Sequence, residues 1–368
     1  MPNAILSVDG QGRIAGFETA TDVDRRAGVE FYNGILVPGL VNAHTHLELS
    51  YLRGRIAPGG GFAAFAADMH AVRGGATPAG REAAARFCDA RMRAEGVVAA
   101  GDVCNGATTF GLKAHSAIRY HNFIEVSGMT AVSAAEASRL AAQARAGGLA
   151  AGVTPLSAYA LRDGLFRDTV VADAAGASPL SIHFMESRAE RELYDGGGPL
   201  AAWYARNGWT VDFAGYGSPA GQIAACIPPD RPVLLVHATF ATGEDVDRMA
   251  DHFGDRATWV LCPRSNRHIE SALPPVQMLR RKGVRIALGT DSLASNADLS
   301  LVEEMKQLPD VPLDELLAWA TASGAAALGM EDALGRFGAG MSPGVTLIEG
   351  IDWRTRTLTP QASSRRIV

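Results

Sequence analysis

Eight short apolar runs, separated by stretches with helical spacing, limit what this chain can fold into more than any other feature. They fall at 35–43, 97–103, 118–126, 149–155, 180–186, 232–238, 257–263 and 284–290, and are rich in Val, Ile, Leu and Ala. Their apolar character is continuous rather than alternating, as in strands covered on both faces. Between them lie REAAARFCDARMRAEG (81–96) and SAAEASRLAAQARAGG (133–148), each stopping at Gly, a usual helix end. Eight strands with interleaved helices predict an α/β protein built as a (β/α)8 TIM barrel, with an open doubly wound sheet as the alternative. No G-x-G-x-x-G opens a helix after the first run, so a dinucleotide-binding sheet lacks its signature.

The two ends read differently. Residues 1–34 and 343–368 look like hairpin-forming β segments, with Asp9 and Gly10 as turn residues. Neither is large enough for its own core. Pairing both termini into a small β-sandwich beside a barrel over 35–342 would solve that. Two connections are long, 47–80 and 187–231, and such loops in a compact domain are usually functional. The second carries Trp203, Tyr204, Trp209, Phe213 and Tyr216. It reads as a wall or lid over a site, or as an insertion packed on itself.

Composition narrows the class. A hydrophobic fraction of 47% with 20% charged residues fits a globular protein with a sizeable core. The net charge of -5 gives no global basic surface for nucleic acid or anionic lipid. No apolar run approaches the roughly 18 residues needed to span a bilayer, and the start lacks the pattern of a secretory signal. The four cysteines are scattered without CxxC pairing, as expected for free thiols in a reducing cytosol. The expected location is cytoplasmic.

Four of the runs finish on metal-ligand types. GILVPGLVNAHTH ends in His44 and His46, SPLSIHFME carries His183, PVLLVHAT carries His237, and VRIALGTDS carries Asp291. In an extended chain residues two apart share a face, so His44 and His46 can reach one ion. The tripeptide alone is a weak motif and reads more simply as two histidines at a strand end with no metal. The other stops fall where a barrel keeps its catalytic residues, at the C-terminal mouth. The set suits one divalent first-row ion, zinc first, with iron or manganese as alternatives. Glu186, three residues after His183, could shuttle protons beside such an ion, or serve as a helix N-terminal charge or a partner to a ligand. The remaining histidines, His70, His115, His121, His252 and His268, lack this placement and read as structural or surface residues.

The segments PGLVNAHTHLELSYLRG, HFMES, LLVHATF, CPRSNRHIE and GTDSLASNADLSLVEEM closely resemble the amidohydrolase superfamily. The resemblance spans roughly 30–345 and is strongest to the branch of cytosine, guanine and S-adenosylhomocysteine deaminases and chlorohydrolases. It implies that His44, His46, His183 and Asp291 bind one metal, and that Asp291 also takes a proton from the attacking water. By the same resemblance Glu186 protonates the ring nitrogen, His237 orients the hydroxide or the tetrahedral intermediate, and Ser292, Ser295 and Asn296 shape the loop behind Asp291. The bridging lysine of two-metal relatives follows the fourth strand. Here only Lys113, Lys282 and Lys306 exist, so one ion is expected.

The implied reaction is hydrolytic deamination of a purine, pyrimidine or related N-heterocycle, with metal-bound hydroxide attacking the amine-bearing ring carbon. Hydrolysis of a cyclic amide, or of a chloro or alkylamino substituent, is the alternative on the same site; a non-catalytic scaffold is a third reading. Relatives often carry Pro-His-Ala-Pro-Tyr after the fourth strand, where this chain has Thr154-Pro155-Leu156-Ser157-Ala158-Tyr159. Leu156 therefore stands where their substrate-holding His is expected. Substrate contacts are expected from Glu48, Arg53, Phe62 and Phe65 after the first strand and from Arg264, Ser265 and Asn266 after the seventh; the two arginines equally suit surface ion pairs. The partner is a small heterocycle rather than nucleic acid or membrane, and relatives make a homodimer an expectation.

Overall fold

The structure, a computed structural model, describes residues 4–19, 28–128, 132–172, 178–209 and 213–368. Its strands are β1 (Ala4–Val8), β2 (Ile14–Thr19), β3 (Ile35–Pro38), β4 (Leu40–Thr45), β5 (Val97–Cys104), β6 (Arg119–Val126), β7 (Ala150–Pro155), β8 (Leu180–Phe184), β9 (Val233–His237), β10 (Ala257–Leu261), β11 (Arg285–Leu288), β12 (Val345–Asp352) and β13 (Thr357–Arg366). Strands β4 to β7 form one parallel four-stranded ladder and β8 to β11 another.

Two seams join the ladders into a barrel. At one, Ser157 bridges His183 and the His183 amide donates to the Leu156 carbonyl at 2.9 Å. The Thr154 hydroxyl stands in for a ladder bond there, donating to Ser181 O and accepting from its amide. At the other, Thr45 bridges Asp291, and the Thr290 and Asp291 amides both donate to His44 O. Closure removes every strand edge from the cylinder.

Side chains alternate across the wall as the pleat requires. On β9, Val233 and Leu235 pack outward with helix residues such as Val246 and Met249. Leu234 and Val236 point inward with Val260, Ala287 and Phe123. The interior is filled, not hollow: a Cβ on Gly101 would lie 2.6 Å from Ala43 O and 2.9 Å from the Phe123 ring. Leu328 and Leu334, from the segment after the last barrel strand, join this interior cluster.

The run 35–43 is two strands rather than one. β3 pairs with β12 in an antiparallel sheet of order β13-β12-β3, and the chain enters the barrel only at Leu40. Gly39 marks the crossing, because a Cβ there would fall 2.2 Å from the Val98 side chain and 2.6 Å from Pro343 O. The β1–β2 hairpin is tied to the segment leading into β12 by Ile14, which exchanges backbone bonds with Gly340 and Met341. Its turn closes through Asp9 and Gly12, with Gly12 at φ 76°.

The helices expected at 81–96 and 133–148 are Pro78–Ala94, N-capped by Thr77, and Val132–Ala146. The 47–80 connection holds a 3-10 turn, Leu47–Leu52, and the helix Gly61–Val72. The 187–231 connection holds Arg188–Tyr194, Gly198–Arg206 and Pro219–Cys226. Tyr194, Tyr204 and Phe213 from it form an apolar cluster with Tyr159, and Phe62 of the first connection meets Tyr159 edge-on at 6.3 Å. The two long connections thus meet above the barrel mouth.

Candidate metal centre

The strand ends that close the barrel also deliver the ligands. His44 and His46 leave β4 where its pairing with β5 shifts register between Asn42 and Thr45, an irregularity that re-aims side chains. Their Nε2 atoms lie 3.2 Å apart and face Asp291 Oδ1 at 3.7 and 3.3 Å. His183 turns its Nδ1 to the Leu156 carbonyl at 2.9 Å, which leaves Nε2 for the centre. One ligand atom from each of His44, His46, His183 and Asp291 lies within 4.8 Å of the others, the one such group among the described residues.

These residues fit a divalent ion. Bonds of about 2.0–2.2 Å to nitrogen and oxygen place ligand atoms close together in this way. Burial holds His44 and His46 down to about 4 and His237 well below its ordinary range, so the imidazoles are neutral and their lone pairs available. Burial works against the Asp291 carboxylate, but the polar groups facing it, His44 first, outweigh that and hold the group well below its usual range. Asp291 Oδ2 accepts from Ser265 and Ser295 at 2.6 Å each, and the two hydroxyl oxygens lie 2.8 Å apart. That grip leaves Oδ1 directed at the histidines.

The backbone is strained where these groups emerge. Met185, His237, Ala238 and Asp291 all have positive φ, at 48°, 79°, 53° and 54°. Such conformations cost about 1–3 kcal/mol each and persist only where the surroundings enforce them. Here they lie at or just past the ends of the strands that deliver His183, His237 and Asp291.

Beside the ligands stand two further groups. His237 is fully buried, its ring 5.4 Å from that of His183 and 5.9 Å from that of His44. Its Nε2 lies 3.6 Å from Glu186 Oε1. Burial, then the negative charges of Asp291 and Glu190, push the Glu186 carboxyl well above its ordinary value. A carboxyl held above its ordinary value and a neutral imidazole therefore share one side of the metal group.

The expected substrate contacts divide. Glu48 lies at the mouth, accepting from the Asn105 amide at 3.1 Å, and burial raises its carboxyl to about 7. Arg53 is exposed, with its charge felt at Cys88 on the outer helix. Arg264 pairs with Asp298, and its amide donates to Glu304. Ser265 holds Asp291, and Asn266 donates to His237 Nδ1 at 3.2 Å and to the Thr239 hydroxyl at 2.5 Å. Phe62 and Phe65 are partly buried on the helix over the mouth. The three lysines lie elsewhere: Lys113 with Asp102, Lys282 with Asp247 and Lys306 with Glu303.

Some contributors were not anticipated. Glu125, near the end of β6, places Oε2 4.0 Å from His183 Nδ1 and accepts from Asn105 through Oε1. An acidic residue closing an apolar run was the available signal. Glu190 accepts from the Glu186 amide at 3.2 Å; it stands third after Ser187, the spacing of a capping box. The Leu156 carbonyl left no signal, since any residue supplies one.

The amidohydrolase family model matches residues 35–363. A 5-methylthioadenosine/S-adenosylhomocysteine deaminase of Halobacterium salinarum is 27% identical over 351 positions, covering 89% of this chain and 75% of that protein. The aminofutalosine deaminase of Helicobacter pylori, solved in complex with methylthio-coformycin, superposes with a TM-score of 0.84 at 20% identity, covering 100% of this chain and 96% of the other. An adenosine deaminase of Xanthomonas campestris with bound zinc gives 0.75 at 21% identity, over 95% and 80% of the two chains. The barrel fold is shared with both solved structures. No helix among the described residues is long and apolar enough to cross a membrane.

Proposed function

This chain belongs to the amidohydrolase family, and on that footing we propose that it is a zinc-dependent hydrolytic deaminase of an amino-substituted purine, pyrimidine or related N-heterocycle. The observation that carries the reading is Glu186. A buried carboxyl, pushed by its surroundings well above its ordinary value, stands 3.6 Å from His237 beside a four-ligand group. Displacing an amine from an aromatic ring needs a proton on the ring nitrogen next to the attacked carbon, and such a carboxylic acid can give one.

An ion held by His44, His46, His183 and Asp291 would supply an acidified water as nucleophile at neutral pH. The rest is done by side chains. Asp291, with Oδ2 fixed by Ser265 and Ser295, has Oδ1 available to accept a proton from that water. Glu186 passes its own proton to the ring nitrogen. His237 steadies the oxygen that joins the ring, Asp291 hands the proton it took to the departing amine, the C–N bond breaks to release ammonia, and the hydroxyl proton of the product returns to Glu186 as the ring carbonyl forms. Glu48 at the mouth serves as a substrate contact. The four cysteines are free and buried, which supports a cytoplasmic setting.

The test is ammonia release across aminated heterocycles, with adenine nucleosides first, because the relatives named above are deaminases of that class. Glu186→Gln should keep the bound metal and lose about 10²–10⁴-fold in turnover, the usual worth of a positioned acid. Turnover of a lactam or a chlorinated ring with no ammonia from any amine would overturn the proposal.

A further inference from the structure

We infer that Asn266 is a positioning residue that decides which nitrogen of His237 carries the proton. His237 has two ring nitrogens and one hydrogen at neutral pH, and its neighbours choose between them. Asn266 Nδ2 lies 3.2 Å from His237 Nδ1 and 2.5 Å from Thr239 Oγ1. An amide nitrogen only donates, so Nδ1 accepts and the hydrogen sits on Nε2. Nε2 is the atom that faces Glu186 Oε1 at 3.6 Å and has no hydrogen-bond partner in the buried pocket.

The opposite orientation of the Asn266 amide is the costlier one. As placed, both amide hydrogens have acceptors and one carbonyl oxygen is unpaired, in a side chain that is 1% exposed. Turned over, the oxygen would take both contacts and leave two buried N–H groups without acceptors, where each unmade bond costs about 1–3 kcal/mol. The ligand set agrees independently. His237 stands among three histidines with ring centroids 5.4 to 5.9 Å from two of them, yet it is not in the group whose atoms converge. An Nε2 that carries hydrogen cannot ligate. It can donate to the oxygen gathering charge on the substrate, which gives His237 the work of an oxyanion donor. Asn266 thus acts through His237 and touches no substrate.

The ring nitrogens of His237 report directly by ¹⁵N NMR on the full-length, zinc-loaded protein labelled at histidine, with its signals identified by their loss in His237→Gln. Wild type should show an unprotonated Nδ1 and a protonated Nε2. In Asn266→Asp the carboxylate can only accept, so the pattern should reverse. Turnover in that variant should fall about 10²–10³-fold, the loss typical of one such donor, with KM little changed. The kinetic arm rests on the deaminase reading; the spectrum needs no substrate and stands if that reading fails. A wild-type spectrum with the hydrogen on Nδ1 overturns the inference, and this result is available even if Asn266→Asp does not fold. A reversed pattern with undiminished kcat overturns the donor role.

Discussion

Removing one of the two hydroxyls that hold Asp291 should weaken metal binding by a calculable amount. Ser265 and Ser295 each donate to Oδ2 at 2.6 Å in a site that is 5% exposed or less. A hydrogen bond to a charged group contributes about 1.5–3 kcal/mol, and a donor lost in a buried site is not replaced by water. Each 1.4 kcal/mol is tenfold in affinity, so Ser265→Ala or Ser295→Ala should raise the zinc dissociation constant about 10- to 100-fold, the range usual for groups that orient ligands. The two hydroxyl oxygens also lie 2.8 Å apart on the same acceptor, so their effects should not simply add. In the double variant Oδ2 has no donor and can swing towards the ion, so the second deletion should cost a different amount from the first. Competition against a chromogenic chelator near neutral pH measures the constants, and urea unfolding of the metal-free proteins separates site from fold. Wild-type zinc affinity in both single variants would refute the claim that these hydroxyls aim Asp291.

Two further outcomes follow from buried charge. In metal-free protein, His44 and His46 sit at about 4 against an ordinary 6.5. A depressed histidine stabilises the fold fully above its unfolded value and loses that support as pH falls from about 6.5 towards 4, by up to about 3 kcal/mol each. The urea midpoint of the metal-free protein should therefore drop across this window, and a flat midpoint would contradict the assignment. Lys113 and Asp102 are both fully buried and paired, with Asn122 accepting from Lys113 at 2.7 Å. Lys113→Met should destabilise by about 3–5 kcal/mol and Asp102→Asn with Lys113→Met should recover much of it; equilibrium unfolding decides, and a single variant as stable as wild type would refute the pairing.

Much of this architecture was legible because the site lies on regular elements. His44, His46, His183, His237 and Asp291 were visible as polar stops to apolar runs, and the parallel barrel converts a stop in sequence into a place on one rim. Glu125 carried a similar signal and was missed, because acidic residues at strand ends are common. Arg53, Ser265 and Asn266 are read from their place after a strand alone, and the last two lie in the helix Pro263–Glu270. Position after a strand does not say whether a side chain faces the cavity, solvent or a neighbouring ligand: Arg53 is exposed, Ser265 holds Asp291 and Asn266 meets His237. The break at Gly39 was hidden by unbroken hydrophobicity on both sides of it. Only the approach of Val98 and Pro343, distant in sequence, shows why the strand changes sheets there.

The two seams carry a consequence for assembly. His183 at one and His44 with Asp291 at the other are where regular pairing gives way to single bridges, so three of the four groups aimed at the ion come from the wall's weakest joints. A bound cation would act as a rivet across both, fastening the first half of the cylinder to the second. Amide hydrogens at Thr290, Asp291 and His183 should accordingly exchange faster after chelation than those inside either ladder, and the order of their release would show which joint parts first.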